Sequence, residues 1–216
     1  MWLLWIIANM KIAIPALPFG NFSSVIKIIE KVGGSAQIVD DPSHLASFEK
    51  LIIAGVGAFD HGMTCIRNGG WLEALDDFAL RQRRPVLGIC LGMQLICNRS
   101  EEGSLPGLGW VDGNVMRFRL DPGSKLKIPH MGWNTVKIAK ENPLIPLNSV
   151  EEQRFYFVHS YHAVCTDPQD VLATAIHGYE ITAALSKGNV MGVQFHPEKS
   201  HRFGMALMRR FVELKC

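Results

Sequence analysis

Two short stretches carry residue types able to do covalent chemistry. Gly88-Ile89-Cys90-Leu91-Gly92 follows a β-rich run and opens a helical one. Small residues two places either side of a nucleophile-capable side chain are the pattern of a nucleophile elbow in its cysteine form. So sharp a turn strains the backbone of its central residue and pushes the side chain into the open, and flanking glycines let neighbouring chain pack against the bend. A helix N-terminus favours thiolate over thiol and offers backbone N–H groups to an oxyanion. The segment also reads as a small buried cysteine in an ordinary strand-to-helix turn. Taken alone, it does not separate the two.

The second stretch is Val193-Gln194-Phe195-His196-Pro197-Glu198. Pro197 has a fixed φ and pushes His196 towards extended backbone. Residues two apart in extended chain point the same way, so His196 and Glu198 converge. A cysteine nucleophile needs a base, and the base needs an orienting group. A strand-end histidine capped by a surface glutamate fits the same residues.

Three weaker signals accompany these. Gln94 lies four residues past Cys90 and shares its face if a helix starts at the elbow. Its amide suits a substrate with amide, amine or carboxylate groups; a solvent-facing glutamine is the plainer reading. Ala54-Gly55-Val56-Gly57 follows another predicted strand, where loops at the carboxyl ends of parallel strands form ligand crevices. Glycines there let a backbone N–H approach a substrate oxygen. His130, His159 and His162 have no acid two residues on and rank below His196 as bases. They are expected to be satisfied core or interface histidines.

The elements that must hold these residues are legible from periodicity. Strands are predicted at Lys11–Ile14, Ala36–Val39, Leu51–Ala54 and Pro85–Ile89. A helix capped by Asn21 or Ser23 has the apolar face Phe22, Val25, Ile26, Ile29 and Val32. Helices are also expected over Trp71–Arg83 and Leu91–Asn98. Alternating strand and helix implies crossovers and a parallel sheet covered on both faces. After Gly103 come short β-rich runs at Trp110–Phe118, Thr135–Ile138, Phe155–Val158, Val171–Ile176, Ile181–Leu185 and Val190–Phe195. Lys187-Gly188-Asn189 reads as a hairpin turn. Ser200 is placed to cap a last helix, Phe203–Leu214. The expected fold is α/β: a mostly parallel central sheet flanked by helices, with added antiparallel strands.

At 216 residues, against about 150 per domain, a single domain over residues 10–216 is expected. Hydrophobic residues make up 48% and charged residues 19%, the balance of a packed chain rather than a disordered one. The net charge of +2 provides no electrostatic footprint for nucleic acid. Arg81, Arg83 and Arg84 read as the solvated end of a helix. Five cysteines, an odd number without a CxxC pair, suit no closed disulfide framework and point to a reducing, cytoplasmic compartment. No cysteine and histidine pairs stand at zinc-ligand spacing, and no metal or cofactor is expected. Residues 1–9, MWLLWIIAN, are apolar but far short of the roughly 20 that span a bilayer, so no membrane is expected. They lack the features of a signal peptide. Either Met10 is the biological start or these residues extend the first strand.

Together these segments resemble class I, triad-type glutamine amidotransferases. Among those, the glutaminase subunits of imidazole glycerol phosphate synthase are most similar. The stretches that carry the resemblance are GVGAF at 55–59, GICLGMQL at 88–95, SEEG at 100–103, GLGWVDG at 107–113, KIPHMGWN at 127–134, FYFVHSYHA at 155–163 and GVQFHPEKS at 192–200. They run in family order. The resemblance implies that Cys90 attacks the side-chain amide of L-glutamine, His196 moves the proton and Glu198 holds His196. It implies oxyanion donors at the backbone N–H of Leu91 and of Val56, and substrate contacts at Gly57 and Gln94. One such donor is worth about 3 kcal/mol of barrier, so a single peptide orientation near Val56 can switch activity. The implied partner is a (β/α)8-barrel cyclase that takes the ammonia in a heterodimer. Asn21, Trp133, Tyr156 and Lys199 match positions near that interface.

Two departures stand out. The family usually has proline at the place of Ala54. An Asp-Tyr-Gly-rich turn usually follows the first strand, where this chain has Pro15-Ala16-Leu17-Pro18-Phe19-Gly20-Asn21. That loop faces the partner in the family. A paralogous glutaminase feeding an amino-sugar amidotransferase in surface polysaccharide synthesis is therefore the second reading. A γ-glutamyl hydrolase shares the Cys-His-Glu arrangement but not PHMGWN or FVHSYHA. A non-enzymatic regulatory module would have no need of an intact Cys90, Gln94, His196 and Glu198.

Overall fold

The computed structural model describes residues 11–20, 22–147 and 151–215. Met10, residues 1–9 and Asn21 therefore lie outside the described residues.

Five of the nine strands of the large sheet run parallel. They are β1 (Lys11–Pro15), β2 (Ser35–Val39), β3 (Lys50–Gly55), β4 (Val86–Cys90) and β12 (Val190–Val193). Every residue of β3, β4 and β12 is buried, as central parallel strands covered on both faces require. Ile12, Ile14, Ile52, Ala54, Leu87 and Ile89 point to one side. There they meet Val25, Ile28 and Ile29 of α1 (Phe22–Lys31) and Leu207, Met208 and Phe211 of α5 (His201–Glu213). Ala13, Leu51, Ile53 and Val86 point to the other side, towards α2 (Phe59–Asn68) and α3 (Trp71–Asp76). A short helix, α4 (Leu91–Leu95), follows β4 directly.

The sheet continues antiparallel through β11 (Tyr179–Lys187), β10 (Val171–His177), β7 (His130–Ile138) and β8 (Gln153–His159). A separate three-stranded sheet joins β5 (Arg99–Ser100), β6 (Gly113–Arg117) and β9 (Tyr161–Cys165). The hairpin expected at Lys187-Gly188-Asn189 links β11 to β12, with Gly188 at φ 58°. No helix among the described residues is long and apolar enough to cross a membrane.

Several local expectations are corrected. The helix expected over Trp71–Arg83 is α3 followed by a π-helical turn, Asp77–Arg81, and it ends before Arg83 at φ 53°. Arg84 is not solvated helix end: its Nη1 donates to the carbonyls of Ala46, at 2.8 Å, and Phe48. Helix α2 went unpredicted because its stripe of Phe59, Met63 and Ile66 is broken by Gly62 and polar residues. The helix after Cys90 stops at Leu95 rather than Asn98, where the chain turns into contact with Gly107 and Leu108. Ser200 occupies the N-cap position of α5 but makes no side-chain cap bond. Its hydroxyl donates to the His196 carbonyl at 2.6 Å and accepts from Tyr156 N–H at 3.0 Å.

Candidate active site

Strand register brings the chemistry-bearing loops together. Gly55 of β3 pairs with Cys90 of β4, and Ile89 of β4 pairs with Val193 of β12. The carboxyl ends of three adjacent strands thus deliver Val56-Gly57, Cys90 and His196 to one edge of the sheet, where α/β folds form ligand crevices.

Cys90 has φ 53° and ψ −107°, backbone that a side-chain-bearing residue rarely adopts. Such a conformation costs on the order of 1–3 kcal/mol and persists only where surrounding packing holds it. The packing is visible at the flanking glycines. A Cβ on Gly92 would lie 1.7 Å from the Ile53 carbonyl oxygen, and one on Gly88 would lie 2.7 Å from the backbone of Gly92. The β4-to-α4 turn is pressed against β3 more tightly than any side chain allows. Leu91, the first residue of α4, has an N–H without an intrahelical acceptor.

His196 is extended, at φ −104° and ψ 98°, and Pro197–Lys199 turn immediately after it. Its backbone N–H donates to the Tyr156 carbonyl at 2.9 Å, which docks this segment on β8. His196 Nδ1 donates to Glu198 Oε1 at 2.7 Å, and both side chains are 2% exposed. Burial pulls the imidazole down, but the Cys90 and Glu198 side chains outweigh it and lift His196 to about 9. Cys90 is near enough to act on that charge, yet His196 Nε2 makes no directed hydrogen bond, and Glu198 Oε2 also has none.

A cleft of about 310 Å³ opens over the elbow. Val56, Gly57, Cys90, Leu91 and Gln94 all line it, so five sequence-predicted residues share one cavity. Glu102, Pro129, Val158, His159, Ser160 and Tyr161 complete the wall. Of these, sequence reasoning weighed only His159. Glu102 has no local signature, because its carboxylate is aimed by a tertiary bond: Oε2 accepts from Phe59 N–H at 2.8 Å. Gln94 is buried rather than solvent-facing, and Nε2 donates to the Tyr161 carbonyl at 3.1 Å and to Gln194 Oε1 at 3.0 Å.

One expected donor faces elsewhere. The Val56 N–H donates to the Phe19 carbonyl at 3.0 Å and is not free to meet an oxyanion in this state. Phe19 belongs to the loop after β1 that departs from the family pattern, and it packs so closely that a Cβ on Gly55 would lie 2.3 Å from its ring.

His130, His159 and His162 are buried, as expected, and with His177 they surround Phe118. Burial pushes His130 down to about 4 and His159 to about 3, which suits neither for a base at neutral pH. Trp133, Tyr156 and Lys199 form one surface cluster. Trp133 lies edge-on to Tyr156 at 6.3 Å and stacks on His201 at 5.4 Å, while Lys199 Nζ sits 5.9 Å over the Tyr156 ring.

The description Glutamine amidotransferase class-I matches residues 33–214. The chain belongs to the class-I glutamine amidotransferase family. An imidazole glycerol phosphate synthase subunit HisH 2 of Methanococcus maripaludis is 47% identical over 202 residues, covering 94% of this chain and 98% of that protein. A protein of the same name from Pseudomonas aeruginosa is 47% identical over 196 residues, covering 90% of this chain and 95% of its own. Within the family, the chain groups with these HisH subunits. A crystal structure of a glutamine amidotransferase matches with a TM-score of 0.69 at 19% identity, over 94% of this chain and 97% of that one. That likeness is one of fold.

Proposed function

We propose that this chain is the glutaminase subunit of an imidazole glycerol phosphate synthase in histidine biosynthesis. The observation that carries the reading is the strained Cys90, in the lining of the cleft, beside a buried imidazole held by Glu198 at 2.7 Å. The names of the HisH relatives support the histidine branch over amino-sugar amidation.

Cys90 Sγ attacks the side-chain carbonyl carbon of glutamine after passing its proton to His196 Nε2, giving the charged imidazole that the Cys90 and Glu198 side chains favour over burial. The tetrahedral intermediate collapses as His196 returns that proton to the departing nitrogen, which leaves as ammonia. Water, deprotonated by the same imidazole, attacks the glutamyl thioester, and glutamate departs as the proton restores the thiol. Both N–H groups of the Gln94 amide are engaged, so this side chain offers substrate only its carbonyl oxygen, an acceptor suited to an ammonium group. The Glu102 carboxylate in the same wall suits an ammonium too.

Leu91 N–H is one oxyanion donor. Val56 N–H becomes the second only when the 55–56 peptide turns away from Phe19. Free ammonia is largely protonated in neutral water, so delivery to a synthase must be direct. The partner is a (β/α)8-barrel cyclase in a heterodimer, docked over Trp133, Tyr156 and Lys199, and the setting is cytoplasmic. The test is glutamate release from glutamine by the purified chain with and without that cyclase. Release that rises with the cyclase and vanishes in Cys90→Ala supports the reading. Release that survives Cys90→Ala overturns it.

A further inference from the structure

Behind the cleft lies a run of buried and half-buried polar groups that reaches Gln94. It starts on β7, the strand that presents Trp133. Asn134 Nδ2 donates to His130 Nε2 at 3.1 Å and to the Ile176 carbonyl at 2.8 Å. With Nε2 accepting, a neutral His130 ring has its proton on Nδ1, and that N–H donates to His159 Nε2 at 2.9 Å. His159 then has its own proton on Nδ1 and donates to the Tyr161 carbonyl at 2.7 Å. The ring stacking of His130 on Phe157 and His177, at 4.7 and 4.3 Å, leaves it little room to turn.

The Tyr161 carbonyl is the pivot. It accepts from His159 on one side and from Gln94 Nε2, at 3.1 Å, on the other. A carbonyl only accepts, so it obliges Gln94 to present its NH2 group. The second Gln94 N–H donates to Gln194 Oε1 at 3.0 Å. Gln194 is fully buried, and with Oε1 claimed it must turn Nε2 to the Cys90 sulfur, at 3.8 Å. Flipped the other way, the Gln194 amide would set an oxygen against the sulfur and oppose negative charge there. An N–H donor favours it.

We propose that Gln194 is a positioning residue for the Cys90 sulfur, oriented through Gln94 by a Tyr161 carbonyl that the His130–His159 pair anchors. The proposal rests on Cys90 being the nucleophile. The neutral state that the run requires is supplied by burial, which keeps both histidines uncharged at neutral pH.

The test is the rate of iodoacetamide alkylation at pH 7 on the full chain, with peptide mapping to separate Cys90 from Cys65, Cys165 and the remaining cysteines. It needs no glutamine, so its outcome is independent of the glutaminase assay. Gln194→Met keeps the volume and removes the donor; its Cys90 rate is expected to fall roughly tenfold. His130→Phe, remote from the sulfur, is expected to fall roughly threefold. In His130→Asn the amide nitrogen overlies Nδ1 and still donates to His159, so the rate should stay within about twofold of the parent. A Gln194→Met rate within that same margin, or a fall in His130→Asn as deep as in His130→Phe, overturns the proposal. If Gln194→Met does not fold, Gln94→Met must show the fall, and an unchanged rate there is equally fatal.

Discussion

The Val56 N–H donates to the Phe19 carbonyl at 3.0 Å, so the glycine loop is latched by the segment that follows β1. The cleft is otherwise assembled, with Cys90, Leu91 and Gln94 in its wall. On the proposed mechanism, a single peptide orientation separates this state from one with two oxyanion donors. Removing one such donor costs about two to three orders of magnitude in turnover. Glutamate release by the chain alone is therefore expected to be at least about a hundredfold slower than with its synthase partner bound. Steady-state assays of the two forms check this, and equal rates would contradict the latch.

The strain at Cys90 has its own signature in stability. Alanine at this position keeps a Cβ at φ 53°, while glycine releases the strain. Both variants lack the thiol and should release no glutamate. Cys90→Gly should nevertheless be more stable than Cys90→Ala by about 1 kcal/mol, the reverse of their usual order. In a chain of this size that is roughly 2–4 °C in Tm, readable by calorimetry.

The buried histidines set the acid limit of stability. His159 is lowered from 6.5 to about 3, chiefly by burial. A histidine whose folded value is depressed supports the fold above 6.5 and withdraws that support as pH falls towards 3. Between pH 6.5 and pH 5 this one residue should remove about 2 kcal/mol. His196 behaves oppositely, because Cys90 and Glu198 overcome burial and lift it from 6.5 to about 9. Its contribution is complete below 6.5 and is lost as pH rises through 9. Urea midpoints measured across this range should fall on both sides. Glu198→Gln should flatten the alkaline limb while leaving the acid limb in place.

Trp133 is 40% exposed and lies flat on His201 at 5.4 Å. Little core packing depends on it, so Trp133→Ala should change unfolding free energy by less than about 1 kcal/mol. As an aromatic anchor on the proposed partner face, the same change should weaken cyclase binding by about 2 kcal/mol, near thirtyfold in Kd. Titration calorimetry with the cyclase decides it, and undiminished affinity would remove Trp133 from the interface.

What the amino-acid order determined by itself is local. A cysteine two places from each of two glycines announces a tight turn. A histidine and a glutamate astride a proline announce a pair on one side of extended chain. Both follow from steric rules that act within a few residues. The apolar runs of β1, β3 and β4 were likewise readable, because a strand buried on both faces needs no partner to be recognised. Tertiary structure alone decided the direction of the Val56 N–H, which depends on where the Phe19 carbonyl arrives from a loop far away in sequence. It decided that Arg84 caps two carbonyls instead of meeting solvent, and that Gln194 turns its nitrogen to sulfur through a bond from Gln94, one hundred residues earlier. Hydrogen-bond polarity is a property of partners brought together by packing, and side-chain types in a row do not encode it.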